Sequence, residues 1–303
     1  MEIDYAHQID FEDLTSINFD IVIIAKNHEA RWDYLVNSLS KSLKLGNSRN
    51  IILSYDQNDN FKKKHFEVYS PHSDNIKDLI KILENEFSKV NKKEIKVLVD
   101  YSCMTKTWYY TIMLFIKQRN LNFEEISVFF SYTPSQFSKP KKPKHNLKIE
   151  PLPGKYRIPN DKPKALIVCL GYEEKKAEGI IDYLDPKETI IIYSKPAIDE
   201  NFVEQIESSN KSLISKFKSV NTFDMSNLKS IEEILQSLFL TLNKDFSVII
   251  APLGPKPFTF VAMLLSLKYE NIDIWRVSSG SNINIYKRKP IENTFIISKV
   301  VFN

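Results

Sequence analysis

The stretch VLVDYSCMTKTWYYTIMLFIKQ (residues 97–118) joins the two elements that decide the fold class. Its apolar start suits a buried strand, a polar turn follows, and the rest has the apolar face of a helix. The same construction recurs in VIIAPLGPKPFTFVAMLLSLKY (residues 248–269), where the turn carries Gly, Pro and Lys. Because helix N-termini that follow parallel strands hold phosphates and nucleotides in α/β proteins, the repeat indicates a receptor with two sites or two lobes.

A second repeat lies upstream of each stretch and indicates two similar halves. Residues 19–25 and 165–170 are predicted strands, and an amphipathic helix follows each. The core-facing positions of these helices match at an offset of 145 residues without a gap: Trp32 with Ala177, Leu35 with Ile180, Val36 with Ile181, and Leu39 with Leu184. Further apolar strands alternate with helices in both halves. The pattern predicts an α/β protein of two tandem Rossmann-like parallel-sheet domains with helices on both faces.

The domain boundaries follow from length and composition. A chain of 303 residues exceeds the usual size of a single core, which favours two domains. We predict an N-terminal domain over residues 1–137, a basic, proline-rich linker over 138–163 with a short strand at 147–150, and a C-terminal domain over 164–303 that ends in a hairpin (282–287 and 294–302). Between Lys139 and Lys164 the chain has nine Lys and Arg residues. This segment is either a solvated linker or an electropositive arm for nucleic acid or another polyanion.

Composition limits the classes of protein that the chain can belong to. A hydrophobic content of 43%, a charged content of 26% and a net charge of +4 are ordinary for a globular protein. The two cysteines and five histidines show no metal-ligand spacing, so we predict no metal site and no cofactor. The acidic N-terminal residues do not resemble a signal peptide, and no apolar run approaches the length of a membrane helix. We therefore expect a cytoplasmic protein without a membrane-spanning segment.

Candidate ligand-binding residues are those that directly follow the predicted strands, because open parallel sheets bind ligands at the carboxyl ends of their strands. In the first half they are Asn27, Glu29, Arg31, Asp56, Asp100, Ser102, Thr105 and Lys106. In the second half they are Gly171, Tyr172, Ser194, Gly254 and Lys256. The first turn offers hydroxyls and an ammonium to phosphate or ribose oxygens, or its Ser and Thr only cap the helix. In the second turn, Gly254 admits a closely approaching ligand, or the turn is a rigid connector.

Catalytic motifs are absent from the sequence. Neither a Walker A loop nor a G-x-G-x-x-G fingerprint occurs, and no Ser/His/Asp order or H-E-x-x-H is visible. If the chain is an enzyme on nucleotides or nucleic acid, such as a phosphodiesterase or a glycosidase, Asp100 or Glu29 would act as the base and Lys106 as the electrophile. A scaffold with a basic docking arm is a further alternative.

The strand-end turn VDYSCMTKTW (residues 99–108) resembles that of CRISPR-associated Rossmann-fold (CARF) sensor domains. It matches at Asp100, Ser102, Thr105, Lys106 and Thr107, and has Cys103 and Met104 where the family usually has glycine. Residues 166–194 are similar to the first β-α-β unit of such a domain. Two such units in one chain is the arrangement of SAVED domains, which bind cyclic oligonucleotides in bacterial antiphage signalling.

The resemblance implies a function and partners. The ligand would be a cyclic oligonucleotide or another nucleotide-derived molecule, bound by the strand-end turns and shared across a homodimer. A separately encoded effector protein would supply the output, or the chain would cleave its ligand as the ring nucleases of this family do.

Overall fold

A computed structural model of the chain describes residues 1–40, 42, 45–56, 61–119, 121–141, 146–155, 160–278 and 287–303. The chain divides into two compact units, one formed by Met1–Gln136 with Ile283–Asn303 and the other by Phe137–Asn282. Each unit contains a sheet of mostly parallel strands flanked by helices. The predicted fold class is therefore confirmed.

The first unit is built on a seven-stranded sheet with the order β1-β13-β6-β5-β2-β3-β4. Its elements, numbered along the whole chain, are β1 (Ile3–Ile9), α1 (Phe11–Thr15), β2 (Ile21–Lys26), α2 (Tyr34–Ser38), β3 (Arg49–Ser54), β4 (Glu67–Tyr69), α3 (Ile76–Phe87), β5 (Glu94–Asp100), α4 (Lys106–Gln118), β6 (Glu125–Tyr132) and β13 (Ile296–Phe302). The strands β4, β3, β2, β5 and β6 are parallel, with Ile23 of β2 opposite Ile51 and Val99. Such an order runs outward in both directions from β2, which is the doubly wound arrangement.

The second unit has a six-stranded sheet with the order β10-β9-β8-β11-β12-β7. Its elements are β7 (Lys148–Pro151), β8 (Lys164–Cys169), α5 (Lys176–Leu184), β9 (Glu188–Ser194), α6 (Glu200–Ser209), α7 (Lys211–Lys216), β10 (Val220–Phe223), α8 (Leu228–Leu242), β11 (Ser247–Pro252), α9 (Lys256–Lys268) and β12 (Ile272–Ser278). All of its strand pairs are parallel except that of β7 with β12. Strand for strand, the order β10-β9-β8-β11-β12 repeats the order β4-β3-β2-β5-β6.

Both faces of each sheet are covered because its strands are apolar without interruption. In the first unit, Val22, Ile24 and Leu98 lie in one core cluster with Leu35 and Val36 of α2. The intervening residues of β2 are equally buried, so they must face helices on the opposite side. The crossover connections supply those helices, since the chain moves from β2 to β3 and β4 on one side and from β5 to β6 on the other. The strands are thus nearly continuous in Val and Ile because both of their faces are buried.

The last strand belongs to the first unit and not to the predicted C-terminal domain. β13 pairs antiparallel with β6 on one side and with β1 on the other, so that Ile297 lies opposite both Ser131 and Ile9. Its residues are buried on both faces, which requires an interior position in a sheet. In the second unit the edge of β12 is already covered by β7. The predicted domain 164–303 with its terminal hairpin is therefore corrected, and most of the first hairpin strand lies outside the described residues.

The segment predicted as a linker is part of the second unit. β7 (Lys148–Pro151) lies at the strand predicted for 147–150 and pairs with β12. Arg276 Nε of β12 donates to Glu150 Oε1 at 3.0 Å. Leu152 is buried, and its main-chain N–H donates to the Ile274 carbonyl at 2.8 Å. Prolines fit here because an edge strand leaves half of its N–H groups unpaired.

Several short elements were not predicted from the sequence, namely β1, α1, α6, α7 and β10. β1 and β10 are edge strands, whose exposed sides weaken the apolar pattern on which the prediction relies. Within the described ranges, no helix combines the length and the apolarity that crossing a bilayer requires.

Candidate functional site

Each sheet has a point where the strand order reverses, and open α/β sheets bind ligands outside the carboxyl ends of the strands at such a point. In the first unit this point lies between β2 and β5, which end at Lys26 and Asp100. In the second unit it lies between β8 and β11, which end at Cys169 and Pro252. Most of the residues predicted from the sequence follow one of these four strands, whereas Asp56 follows β3 and Ser194 ends β9.

A helix of 13 residues begins at each reversal point, and its first residue is a lysine. Lys106 opens α4, and Lys256 opens α9; both are half-buried. Thr105 caps α4, since its Oγ1 accepts a hydrogen bond from Trp108 N at 3.3 Å. Pro255 occupies the corresponding cap position of α9. Each unit therefore presents a lysine together with the positive end of a helix dipole.

Asp100 and Ser102 are buried and bind other parts of the turn. Asp100 Oδ1 accepts from Ser102 N at 2.9 Å, and Ser102 Oγ accepts from Thr133 N at 2.7 Å. Tyr101 N donates to the Ser131 carbonyl at 3.0 Å. These contacts join the carboxyl end of β5 to that of β6, so the first turn is an ordered part of the core.

Glu29 and Arg31 form a buried ion pair next to this turn. Arg31 Nε lies 2.5 Å from Glu29 Oε2, and the two side chains are only 2% and 9% exposed. Arg31 Nη1 also donates to the Thr133 carbonyl at 2.8 Å. Burial alone would lower the pKa of Arg31, but Tyr132, Cys103 and Glu29 raise it above its usual value. The guanidinium is thus a permanent cation that Glu29 neutralises.

The C-terminal segment lies across the same strand ends. Ala30 N donates to the Arg288 carbonyl at 3.2 Å, and Arg288 Nη1 lies 3.9 Å from Glu29 Oε1. Gln136 N donates to the Lys289 carbonyl at 3.0 Å. Residues 288–289 therefore connect the loop after β2 with the segment after β6, which further orders this part of the first unit.

Asn27 and Asp56 complete the predicted set in the first unit. Asn27 Oδ1 accepts from Glu29 N at 2.9 Å, which places it in the network of Glu29 and Arg31. Asp56 is exposed after β3; its N–H donates to Ser54 Oγ at 3.2 Å and its carbonyl accepts from Ser70 Oγ at 2.9 Å. The described contacts thus join Asn27, Glu29 and Arg31 in one network. Those described for Asp56 go to Ser54 and Ser70 instead.

In the second unit, the predicted glycines lie where two strand-end loops meet. A Cβ on Gly171 would lie 2.4 Å from the Leu253 carbonyl oxygen, and one on Gly254 would lie 2.4 Å from Cys169 Sγ. Leu253 N donates to the Cys169 carbonyl at 3.0 Å across the same junction. The close approach that these glycines permit is therefore that of the loop after β8 to the loop after β11.

Tyr172 and Ser194 also lie at strand ends. The Tyr172 carbonyl accepts from Ser209 Oγ at 3.0 Å, and its ring centroid lies 5.6 Å from that of Phe202. Ser194 is buried as the last residue of β9. At the 145-residue offset, Glu174 and Lys176 match Glu29 and Arg31. Glu174 is exposed and Lys176 pairs with Glu173, so these two positions do not repeat the buried ion pair of the first unit. The two halves share a topology and differ in their strand-end chemistry.

Three lysines of the predicted basic arm bind the carboxyl ends of helices. Lys155 Nζ donates to the carbonyls of Ser266 at 2.7 Å and Tyr269 at 3.2 Å, at the end of α9, and to that of Ile272, the first residue of β12, at 2.7 Å. Lys162 Nζ donates to Asn243 and Lys244 carbonyls beyond α8, and Lys164 Nζ to the Leu184 carbonyl of α5. Ammonium groups are favourable there because the last carbonyls of a helix are unpaired and its dipole is negative. Lys142, Lys144 and Arg157 lie outside the described residues.

Comparison with known proteins leaves the family of the chain open. No protein-family model matches the chain, and no curated protein matches it in sequence. The resemblance to CARF and SAVED domains therefore stays a prediction. Among the described residues, no group of three or more His, Cys, Asp or Glu side chains could hold a metal ion.

Sequence reasoning missed two participants in the first network, Thr133 and Arg288. Thr133 directly follows β6, so extending the strand-end criterion to that strand would have identified it. Arg288 carries no such signal, because its segment appeared to belong to the second half of the chain.

Proposed function

We propose that the chain binds a nucleotide-derived anionic ligand, such as a cyclic oligonucleotide, and acts as a sensing or accessory subunit of a bacterial antiphage defence system. A separately encoded effector protein would supply the output. The observation that carries the proposal is the lysine at the first position of α4 and of α9, at the point of each sheet where the strand order reverses. A positive helix end and an ammonium together favour phosphate groups.

A buried donor in the first turn of α4 supports a ligand at that end. Trp108 is 1% exposed, and its indole Nε1 has no hydrogen-bond partner among the described residues. Its ring stacks on that of Tyr55 with centroids 4.2 Å apart. Buried donors are rarely left unpaired, so a ligand oxygen or an ordered water would satisfy this N–H.

Binding is favoured over catalysis by the contacts of the two candidate bases. Glu29 is held by Arg31, and Asp100 Oδ1 accepts from Ser102 N. A general base must reach the proton of a substrate, and these carboxylates are used by the fold.

Thermal-shift measurements and isothermal titration with cyclic oligonucleotides and common nucleotides test the proposal. A ligand at a hundredfold excess over its Kd stabilises the folded chain by about 2.7 kcal/mol. We expect Lys106→Ala or Lys256→Ala to reduce that stabilisation. The matched control is Lys77→Ala, which removes an exposed lysine from the first turn of α3, the helix that follows the edge strand β4. The proposal fails if no ligand raises the Tm of the wild type, or if both variants bind as tightly as the control.

A further inference from the structure

A lysine-rich groove lies on the first unit, in the crossover between β3 and β4. Its volume is about 760 Å³, and it is lined by Phe61, Lys62, Lys63, Lys64, Phe66, Glu67 and Val68. Ligand-binding clefts usually measure about 300–1,000 Å³. We call this feature the lysine groove.

The charge of the groove is predominantly positive. Lys62 and Lys64 are exposed, and within the described ranges neither has a carboxylate at salt-bridge distance. Lys63 Nζ lies 2.8 Å from Asp33 Oδ2, which orders its side chain. Glu67 is the one acidic lining residue. Two ammonium groups are thus available to an anionic ligand, with a third beside them.

Aromatic rings form the wall behind these lysines. Lys63 Nζ lies 4.7 Å from the centroid of the Trp32 ring and 5.8 Å from that of Phe66. The Phe61 ring meets the Trp32 ring edge to face at 5.6 Å. All three rings are half-buried against the core cluster of the first unit. Because these rings pack on the core, the groove combines an apolar wall with cationic side-chain ends.

The groove begins close to the carboxyl end of β2. Lys26 is the last residue of that strand, and its Nζ lies 4.7 Å from the centroid of the Phe61 ring. The cation is therefore a fourth ammonium near the same wall. None of Phe61, Lys62, Lys63 or Lys64 takes part in the networks of Asp100, Arg31 or Thr133 described above.

We propose that the lysine groove binds a short single-stranded nucleic acid segment, with its lysines on phosphates and its half-exposed phenyl rings against bases. Positive grooves with aromatic contacts are how proteins hold single strands without reading their sequence. The same chemistry would accept a free nucleotide more weakly, because fewer phosphates are contacted. The site does not depend on the function proposed for Lys106 and Lys256.

Fluorescence anisotropy with a fluorescein-labelled oligothymidylate tests this site on the full chain. Three phosphate contacts predict that affinity falls about 20-fold between about 50 and 200 mM salt. The double variant Lys62→Glu/Lys64→Glu should lower affinity at least about tenfold and lower the magnitude of the salt slope by about 1.4. Both side chains are exposed, so the fold should be retained, and circular dichroism checks this.

The matched control is Lys77→Glu/Lys81→Glu, which makes the same charge change at exposed lysines of α3 outside the groove. It should bind like the wild type. Phe61→Leu keeps apolar bulk and removes the ring, and should weaken binding about tenfold if bases contact the wall. Lys106→Ala should leave this binding unchanged, which separates the two proposals.

The outcomes are distinct. If unlabelled oligothymidylate displaces the labelled probe at a concentration well below that at which ATP does, the ligand is a single strand. If ATP displaces the probe at the same concentration, the ligand is a free nucleotide of the same chemistry. Competition by pyrophosphate as strong as that by ATP contradicts base contact and overturns the site as proposed. The proposal is also overturned if the wild type does not bind the oligonucleotide, or if the control loses as much affinity as the groove variant.

Discussion

The hydroxyl oxygen of Ser102 accepts a hydrogen bond from the main-chain N–H of Thr133 at 2.7 Å, and both residues are fully buried. This bond connects the turn after β5 with the residue after β6, 31 positions later in the chain. Ser102 therefore stabilises the arrangement of two strand ends, whatever ligand this end of the sheet binds.

Replacing Ser102 with alanine should destabilise the first unit by about 1–3 kcal/mol, because the Thr133 N–H would stay buried without an acceptor. Urea unfolding followed by circular dichroism measures the loss. The control is Ser16→Ala, whose hydroxyl is exposed and bonds only locally to the Asp13 carbonyl; it should change stability by less than about 0.5 kcal/mol. An unchanged urea midpoint for Ser102→Ala would show that the hydroxyl does not stabilise the fold.

Alanine at Gly171 should destabilise the second unit by about 1–3 kcal/mol, since its Cβ would lie 2.4 Å from the main-chain oxygen of Leu253. Backbone cannot move aside as a side chain can, so the two strand-end loops would have to separate. Thermal unfolding of Gly46→Ala provides the comparison, because nothing lies within 4 Å of a Cβ at that glycine. Equal melting temperatures for the two variants would contradict the packing argument.

Lys155→Met should destabilise the second unit by about 2 kcal/mol, because it removes the ammonium that binds three carbonyls between the end of α9 and the start of β12 and keeps the apolar stem. Urea unfolding is again the measurement. Lys139→Met removes an exposed lysine of the same basic segment and should have little effect. If both variants are equally stable, the ammonium of Lys155 does not stabilise the fold.

Glu86 should make the first unit sensitive to acid. Its side chain is fully buried and accepts from Arg49 Nη2 at 2.7 Å, Tyr69 OH at 2.7 Å and Lys89 Nζ at 2.5 Å. Burial alone would raise the pKa of this carboxyl, but the bonds from Lys89, Tyr69 and Arg49 lower it below its usual value. The stabilisation is therefore complete above the unfolded pKa of about 4.3 and is lost as the pH falls through the lower folded pKa.

Urea unfolding across the acid range measures this dependence. Glu86→Gln should cost about 2 kcal/mol at neutral pH and should flatten the fall in stability at acid pH. Glu84→Gln alters an exposed carboxylate two positions earlier in α3 and should leave the acid dependence as it is in the wild type. The assignment fails if the two variants lose stability in parallel as the pH falls.

Tyr69 should make the stability of the first unit sensitive to alkaline pH. Burial and the hydrogen bond to Glu86 raise the pKa of Tyr69 to about 12. The protonated phenol stabilises the fold fully below the unfolded pKa of about 10, and this contribution is lost as the pH rises through about 12. Tyr69→Phe should remove this alkaline loss, whereas Tyr183→Phe, at a side chain 62% exposed, should not. Spectrophotometric titration of the phenol absorbance gives a direct check.

The regular elements were predictable where the apolar pattern was long. Strands β2 and β8 begin and end within two residues of the predicted ranges 19–25 and 165–170, and helices α4 and α9 fall inside the stretches 97–118 and 248–269. Such strands are buried on both faces, so every residue carries the signal. The first unit's α2 is shorter than predicted, because only Tyr34–Ser38 is helical, although Leu35, Val36 and Leu39 are buried as expected.

The chemistry of the strand ends was harder to predict. Residue type and position placed Glu29, Arg31, Asp100 and Ser102 at a strand end, and the structure shows them there. That Arg31 would pair with Glu29 and bond to Thr133, 102 residues later, depends on how the loops meet in space. A strand-end criterion identifies which residues reach the edge of a sheet, but not which of them the fold itself uses.

The sequence by itself determined two doubly wound halves, because uninterrupted apolar strands and amphipathic helices can be buried in few other ways. Only the tertiary structure decided that β13 completes the first sheet, that the basic segment caps helices of the second unit, and that Gly171 and Gly254 admit neighbouring loops. Each of these is a contact between residues distant in the chain. Local periodicity does not predict which residue a strand edge, a lysine or a glycine will contact.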